Sequence, residues 1–172
     1  MQSTNVGDDK LLLDKFAERG ITASTVPLVG GGGHWTVPEL AKIAGTEHLE
    51  GMIVGLANWP GKGVADVEKR FVAKTGEPWF GHDSIFPYAH VLLFKEVLER
   101  AASTDKKKVA ETLRKIDLKD GPARFFPDGR IKYDETGKRV GAELCIVQWQ
   151  KGRPVAVHPE NIAVSKAVWP KA

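Results

Sequence analysis

At 172 residues the chain is long enough to bury a core without disulfide staples or a structural metal. Its 42% hydrophobic and 27% charged residues are the mix of a soluble globular protein, which excludes a fibrous or disordered chain. Lys and Arg (25) nearly balance Asp and Glu (22), and the one dense basic run, Lys106-Lys107-Lys108, has no aromatics interleaved with it, so no nucleic-acid face is expected. Cys145 is the sole cysteine, which excludes an internal disulfide; set in Leu144-Cys145-Ile146-Val147, it reads as a small buried hydrophobe. No apolar run reaches the length of a membrane span, and Met1 to Asp9 has neither the basic n-region nor the apolar h-region of an export signal.

In chain order, Asp8 or Asp9 is expected to cap a helix carrying Leu11, Leu12, Leu13 and Phe16, ending at Gly20. Ile21 to Val29, rich in β-branched residues, reads as a strand running into Gly30-Gly31-Gly32-Gly33. Thr36-Val37-Pro38-Glu39 has the pattern of a capping box and opens a short helix that Gly45 ends. Met52 to Leu56 reads as a buried parallel strand, so strand, helix and strand suggest a right-handed crossover in an α/β sheet. Asn58 to Gly63 is a connector, and Val64, Val67, Phe71 and Val72 follow helical spacing up to Gly76. Asp83 or Ser84 is expected to cap the longest helix, with Pro87 in its first turn and Ile85, Phe86, Ala89, Leu92, Leu93 and Val97 on a wide apolar surface. Val109, Leu113 and Ile116 mark one more helix. From Gly121 the texture changes to short strands, ending in a hairpin of the Trp149 and Val155 strands around Lys151-Gly152. A helix with three consecutive leucines needs a sheet to cover it, and that sheet's first strand is expected upstream of Met1; the chain reads as a piece of something longer.

The motifs for chemistry fail one after another. The four glycines lack the spacing of a dinucleotide fingerprint, and no acid follows Val54-Gly55-Leu56-Ala57. Gly55 to Gly63 has five residues between its glycines, and Gly63 stands where a phosphate loop needs Ser or Thr. There is no nucleophile elbow, Cys145 has no evident His partner, and the five histidines show no metal-ligand spacing, so neither enzyme, cofactor nor metal is indicated. His34 alone stands out, because it follows the glycines at a strand end, where open α/β sheets bind ligands.

Asn58-Trp59-Pro60, Tyr88-Ala89, Glu99-Arg100-Ala101, Tyr133-Asp134-x-x-Gly137 and Val147-Gln148-Trp149-Gln150 stand in an order and spacing that resemble the branched-chain amino-acid type of periplasmic binding protein, over Asp8 to Pro170. The resemblance implies an α/β chain forming the C-terminal part of a type I periplasmic binding protein fold, two Rossmann-like lobes joined by a hinge, with the N-terminal part missing. It divides the chain into residues 1–57 in the second lobe, 58–138 in the first, and 139–172 as a hairpin and tail returning to the second, so the Trp149 strand should rejoin the sheet of Met52 to Leu56. It implies a solute-binding component of an ABC importer in the periplasm, with an ABC permease as partner of the full-length protein. A ligand-sensing regulatory module of the same fold is the alternative.

Two positions match ligand-binding positions of the family. The loop after the first strand often carries a glutamate for the ligand's ammonium; here Gly32, Gly33, His34 and Trp35 stand there without an acid. That leaves open an amino acid or an aromatic or other organic acid as ligand. The second is Asp83, which serves as helix cap, ligand contact or both. Gly33, His34, Trp35 and Asp83 are therefore the candidate ligand-binding residues, with His34, Trp35 and Asp83 expected to face one another across a cleft. The uncovered faces of the Leu11–Leu13 and Ile85–Val97 helices suggest apolar patches that favour self-association or low solubility.

Overall fold

A computed structural model of the protein describes residues 5–169. Met1 to Thr4, part of the segment read for an export signal, and Pro170, the end of the resemblance, lie outside the described residues. The first helix, α1 (Val6–Glu18), is capped by Asn5, whose side-chain oxygen accepts from the Asp8 N–H at 3.0 Å. Asp8 and Asp9, expected as the cap, instead occupy the first turn, where the helix dipole favours acids. The expected strand from Ile21 is a turn. The Thr22 N–H donates to Thr25 Oγ1 (3.0 Å) and the Val26 N–H to the Thr22 carbonyl (2.9 Å), so threonines that favour strands by propensity are satisfied locally. Only β1 (Val29–Gly31) pairs in a sheet.

Helix α2 (Pro38–Ala44) starts from Val37, and no capping box forms, because the Thr36 hydroxyl donates backward to the Gly33 carbonyl at 2.8 Å. Gly45, at φ 84°, ends the helix. Strand β2 (Ile53–Leu56) runs parallel to β1, Val54 opposite Gly30. Helix α3 (Ala65–Thr75) closes on Gly76 in the left-handed region. The N-cap of α4 (His82–Ala101) is Gly81, which places Asp83 and Ser84 inside the first turn rather than at the cap. Pro87 falls one turn later than expected, and its missing N–H leaves the Asp83 carbonyl without its usual helical partner. Asp105 caps α5 (Lys106–Lys115), accepting from the Lys108 N–H at 3.0 Å. A two-stranded ladder joins β3 (Asp117–Leu118) to β4 (Ile131–Lys132).

Strands β5 (Cys145–Gln150) and β6 (Arg153–His158) meet at Lys151 and Gly152, whose positive φ values of 55° and 77° match a type I′ turn. The Glu50 carboxylate holds that turn by accepting from both its N–H groups, at 2.8 and 3.1 Å. The main sheet has the order β1-β2-β5-β6, with β5 antiparallel to both neighbours. Val147 lies opposite Val54, so the Trp149 strand does return to the sheet of Met52 to Leu56.

Two hydrophobic cores result. The first gathers α1, α2 and the sheet around Leu13, Leu40, Leu49, Val54, Leu56, Val147 and Trp149. The second gathers α3, α4 and the β3–β4 region around Val64, Phe80, Ile85, Leu93, Val97, Phe125 and Ile131. Each such side chain contributes about 1.5–3 kcal/mol by leaving water. Trp59 and Trp79 reach from the middle of the chain into the first core, where Trp79 packs edge-on against Trp149 at 5.7 Å. The tail crosses the sheet's outer side, and Gln148 fastens it: its amide nitrogen donates to the Val168 carbonyl (2.6 Å) and its oxygen accepts from the Val168 N–H (2.8 Å).

Candidate functional site

Of the four glycines, Gly30 and Gly31 close β1 and pair with β2, while Gly32 and Gly33 form the turn that follows, with little stiffness of its own, since glycine imposes no side-chain restraint on the backbone. Surrounding contacts fix it. Gly32, at φ 104°, donates its N–H to the Gly55 carbonyl at 3.2 Å, and a Cβ on Gly30 would strike Trp35 and Met52 at 2.8 Å. Gly33 is buried, and the space a Cβ would take there is filled by the Asp83 carboxylate and the His82 ring. The loop therefore meets the first turn of α4 directly, and glycine is what allows that approach.

Beside this contact a cavity of about 540 Å³ opens between the two cores. Thr36 to Glu39 and Lys42 line one side; Phe71, Glu77, Trp79 and Gly81 to Ser84 line the other. Its size falls in the range of small-molecule sites. The Trp79 indole N–H donates to the Thr36 carbonyl at 3.0 Å, so one wall is fixed to the other. Glu39, Glu77 and Asp83 face one lysine, Lys42, which lies 4.0 Å from Glu77. Such a rim attracts a cationic group more than an anionic one. His82 Nδ1 donates to the Asn58 carbonyl at 3.0 Å, tying α4 to the connector after β2. The Asn58 side-chain amide is fully buried, with no hydrogen-bond partner among the described residues.

The four candidate residues part company. Gly33 and Asp83 are brought together, and Asp83 also lines the cavity. His34 turns the other way, its Nδ1 2.6 Å from the Asp9 carboxylate on α1. Trp35 is only 6% exposed in the first core, and its carbonyl accepts from the Trp149 indole N–H at 2.9 Å. Sequence reasoning missed Glu39, Lys42, Glu77 and Trp79 as cavity residues. Only the Pro78-Trp79-Phe80-Gly81 loop ahead of α4 offered a signal, a tryptophan set in a turn. Burial pushes the Cys145 thiol up to about 12, well outside the range of a nucleophile at neutral pH. Among the described residues no group of three or more His, Cys, Asp or Glu is placed to hold a metal ion, and no helix is long and apolar enough to cross a membrane.

Residues 2–154 match the periplasmic binding protein family, and the chain belongs to it. It is 25% identical over 175 residues to the Leu/Ile/Val-binding protein homolog 8 of Brucella melitensis, covering 96% of this chain and 42% of that protein. The Leu/Ile/Val-binding protein homolog 7 of Brucella suis is 25% identical over 180 residues, or 99% of this chain and 43% of the relative. The chain thus spans about two fifths of the length of these relatives. Among solved structures, the leucine-binding protein LivK of Thermotoga maritima superposes with a TM-score of 0.62 at 22% identity, over 88% of this chain and 41% of that one. An ABC transporter substrate-binding protein of Desulfitobacterium hafniense, in complex with Leu, gives 0.54 at 20% identity over 90% and 49%. The α/β fold is that of the type I periplasmic binding proteins.

Proposed function

We propose that this chain is part of the solute-binding component of an ABC importer, working in the periplasm and passing an amino acid or a related organic or aromatic acid to an ABC permease. The observation that carries the reading is the cavity between the two cores, lined by Asp83 at the start of α4 and adjoining the loop after β1. In this reading residues 1–57 and 139–172 belong to one lobe and residues 58–138 to the other, with Asn58 to Gly63 as a crossing. The acidic rim favours a ligand that carries an ammonium group, and among the proposed ligands it therefore favours an amino acid. Gly33 and Asp83 form the contact surface; His34 and Trp35 support it from behind.

The chain supplies two fifths of a relative's length, so it lacks contacts that the rest of such a protein would make. Each absent charge-assisted hydrogen bond removes about 1.5–3 kcal/mol, and two or three of them weaken binding by several decades. Calorimetry with leucine, isoleucine, valine and a set of aromatic acids tests this. Weak heats for the amino acids, abolished by Asp83→Ala, are expected. Submicromolar binding by the monomeric chain, or heats unchanged in Asp83→Ala, would overturn the reading.

A further inference from the structure

We infer that Asp9, which lies on α1 outside the candidate site, is a positioning residue that sets the conformation of the Gly32–Gly33 turn after β1 through His34. The Asp9 side chain is fully buried, 25 residues away from the histidine it meets, and the His34 ring is 26% exposed. With a carboxylate as partner, Nδ1 is the protonated ring nitrogen, and the 2.6 Å separation is that of a charge-assisted hydrogen bond. The ring also lies over the backbone of Gly32, whose Cβ, if present, would be 3.2 Å from its Cδ2 and Nε2 atoms, and it tilts against Trp35 at 5.8 Å.

Glycine loses more backbone freedom on ordering than any other residue, so the conformation at Gly32 and Gly33 depends on anchors outside them. Among the described residues, hydrogen bonds supply such anchors. Gly55 holds the Gly32 N–H, the Thr36 hydroxyl holds the Gly33 carbonyl, Trp149 holds the Trp35 carbonyl, and Asp9 holds the His34 ring. The first and third belong to the sheet and its core, and the second is local. Asp9 supplies, among the described residues, the hydrogen bond that ties this segment to α1, and His34 is the first side chain after the glycines, so this anchor bears on the direction in which Gly33 leaves the turn toward Asp83. The inference rests on the reading of Gly33 and Asp83 as the ligand contact, but its test needs no ligand, so the two can fail separately.

Amide hydrogen exchange of the chain, of Asp9→Ala and of Asp9→Asn, read beside the ¹⁵N signals of the His34 imidazole, decides it. In Asp9→Ala the amides of Gly32, Gly33 and His34 should exchange about tenfold faster while those of α4 and β5 keep their rates. The His34 ring should lose its Nδ1–H signature. Asp9→Asn keeps an acceptor oxygen and should restore most of the loop's protection. Unchanged loop exchange in Asp9→Ala, or acceleration shared equally by α4 and β5, would overturn the positioning role. If Asp9→Ala does not fold, His34→Ala breaks the same bond from its more exposed side. The same local loosening there supports the inference, and an unaltered loop refutes it.

Discussion

Asp117 shows how a single exposed carboxylate reports on its element. Arg130 donates from Nε and Nη2 to its two oxygens at 2.7 and 2.6 Å, and Lys132 lies 3.6 Å away. The Arg130 bond holds the Asp117 carboxyl down to about 2, from an ordinary value of 3.8. The folded value is the lower one, so the pair's contribution to the β3–β4 ladder is complete above pH 3.8 and is lost as the pH falls from there toward 2. Both side chains are more than a third exposed, so solvent and salt screen the pair and its stabilising effect stays small. Arg130→Gln should move the Asp117 titration midpoint back toward 3.8 in carboxyl NMR. A midpoint still near 2 would assign the effect to Lys132 rather than Arg130.

At the scale of the element, the glycine loop makes a paired prediction. No heavy atom lies within 4 Å of a Cβ built on Gly31, whereas one on Gly33 would overlap the Asp83 carboxylate and lie 2.6 Å from His82 Cδ2. Gly31→Ala should leave stability unchanged or raise it by about 0.4–1 kcal/mol, through the unfolded state. Gly33→Ala should cost about 1–3 kcal/mol as α4 is pushed off the loop. Adding Asp83→Ala should recover part of that loss in urea melts. Equal effects at the two glycines would show that the loop does not bear on α4.

The same element shows what a sequence carries and what it withholds. The β2, β5 and β6 strands were legible because their apolar runs are bounded by glycine turns, and the pairing of β5 with β2 was expected from the family resemblance. The Ile21–Val29 strand failed because β-propensity is a preference for a half-buried pleated surface, and here the Thr25 hydroxyl accepts from the Thr22 N–H and donates to the Thr22 carbonyl instead. The Thr36 capping box failed for a related reason, since the hydroxyl was taken by the Gly33 carbonyl. Asp83 could be named because it matches a ligand-binding position of the family. The contact of His34 with Asp9 could not, because it depends on how α1 packs beside the loop, and no local pattern encodes that.

For the molecule as a whole, the apolar surface left uncovered is the chief liability. Val91 (68% exposed), Phe94 (57%) and Leu98 follow one stripe of α4, and Leu11 on α1 is 62% exposed. A run of this kind favours a second copy of the chain over water. Sedimentation velocity should show the mean mass rising with concentration, and Val91→Gln with Phe94→Lys should hold the chain monomeric. A monomer at all concentrations would mean that the stripe is too narrow to support association. The division of the aromatics has a separate, optical consequence. Four tryptophans, Trp35, Trp59, Trp79 and Trp149, belong to the first core, while the second is built with phenylalanine and tyrosine. Indole emission will therefore follow chiefly the sheet and its helices, with Trp59 and Trp79 also sensing the start of α4 and Trp169 the exposed tail. A loosening confined to the part of the second core remote from the start of α4 would move tryptophan fluorescence little, yet register in the far-ultraviolet signal of α3 to α5.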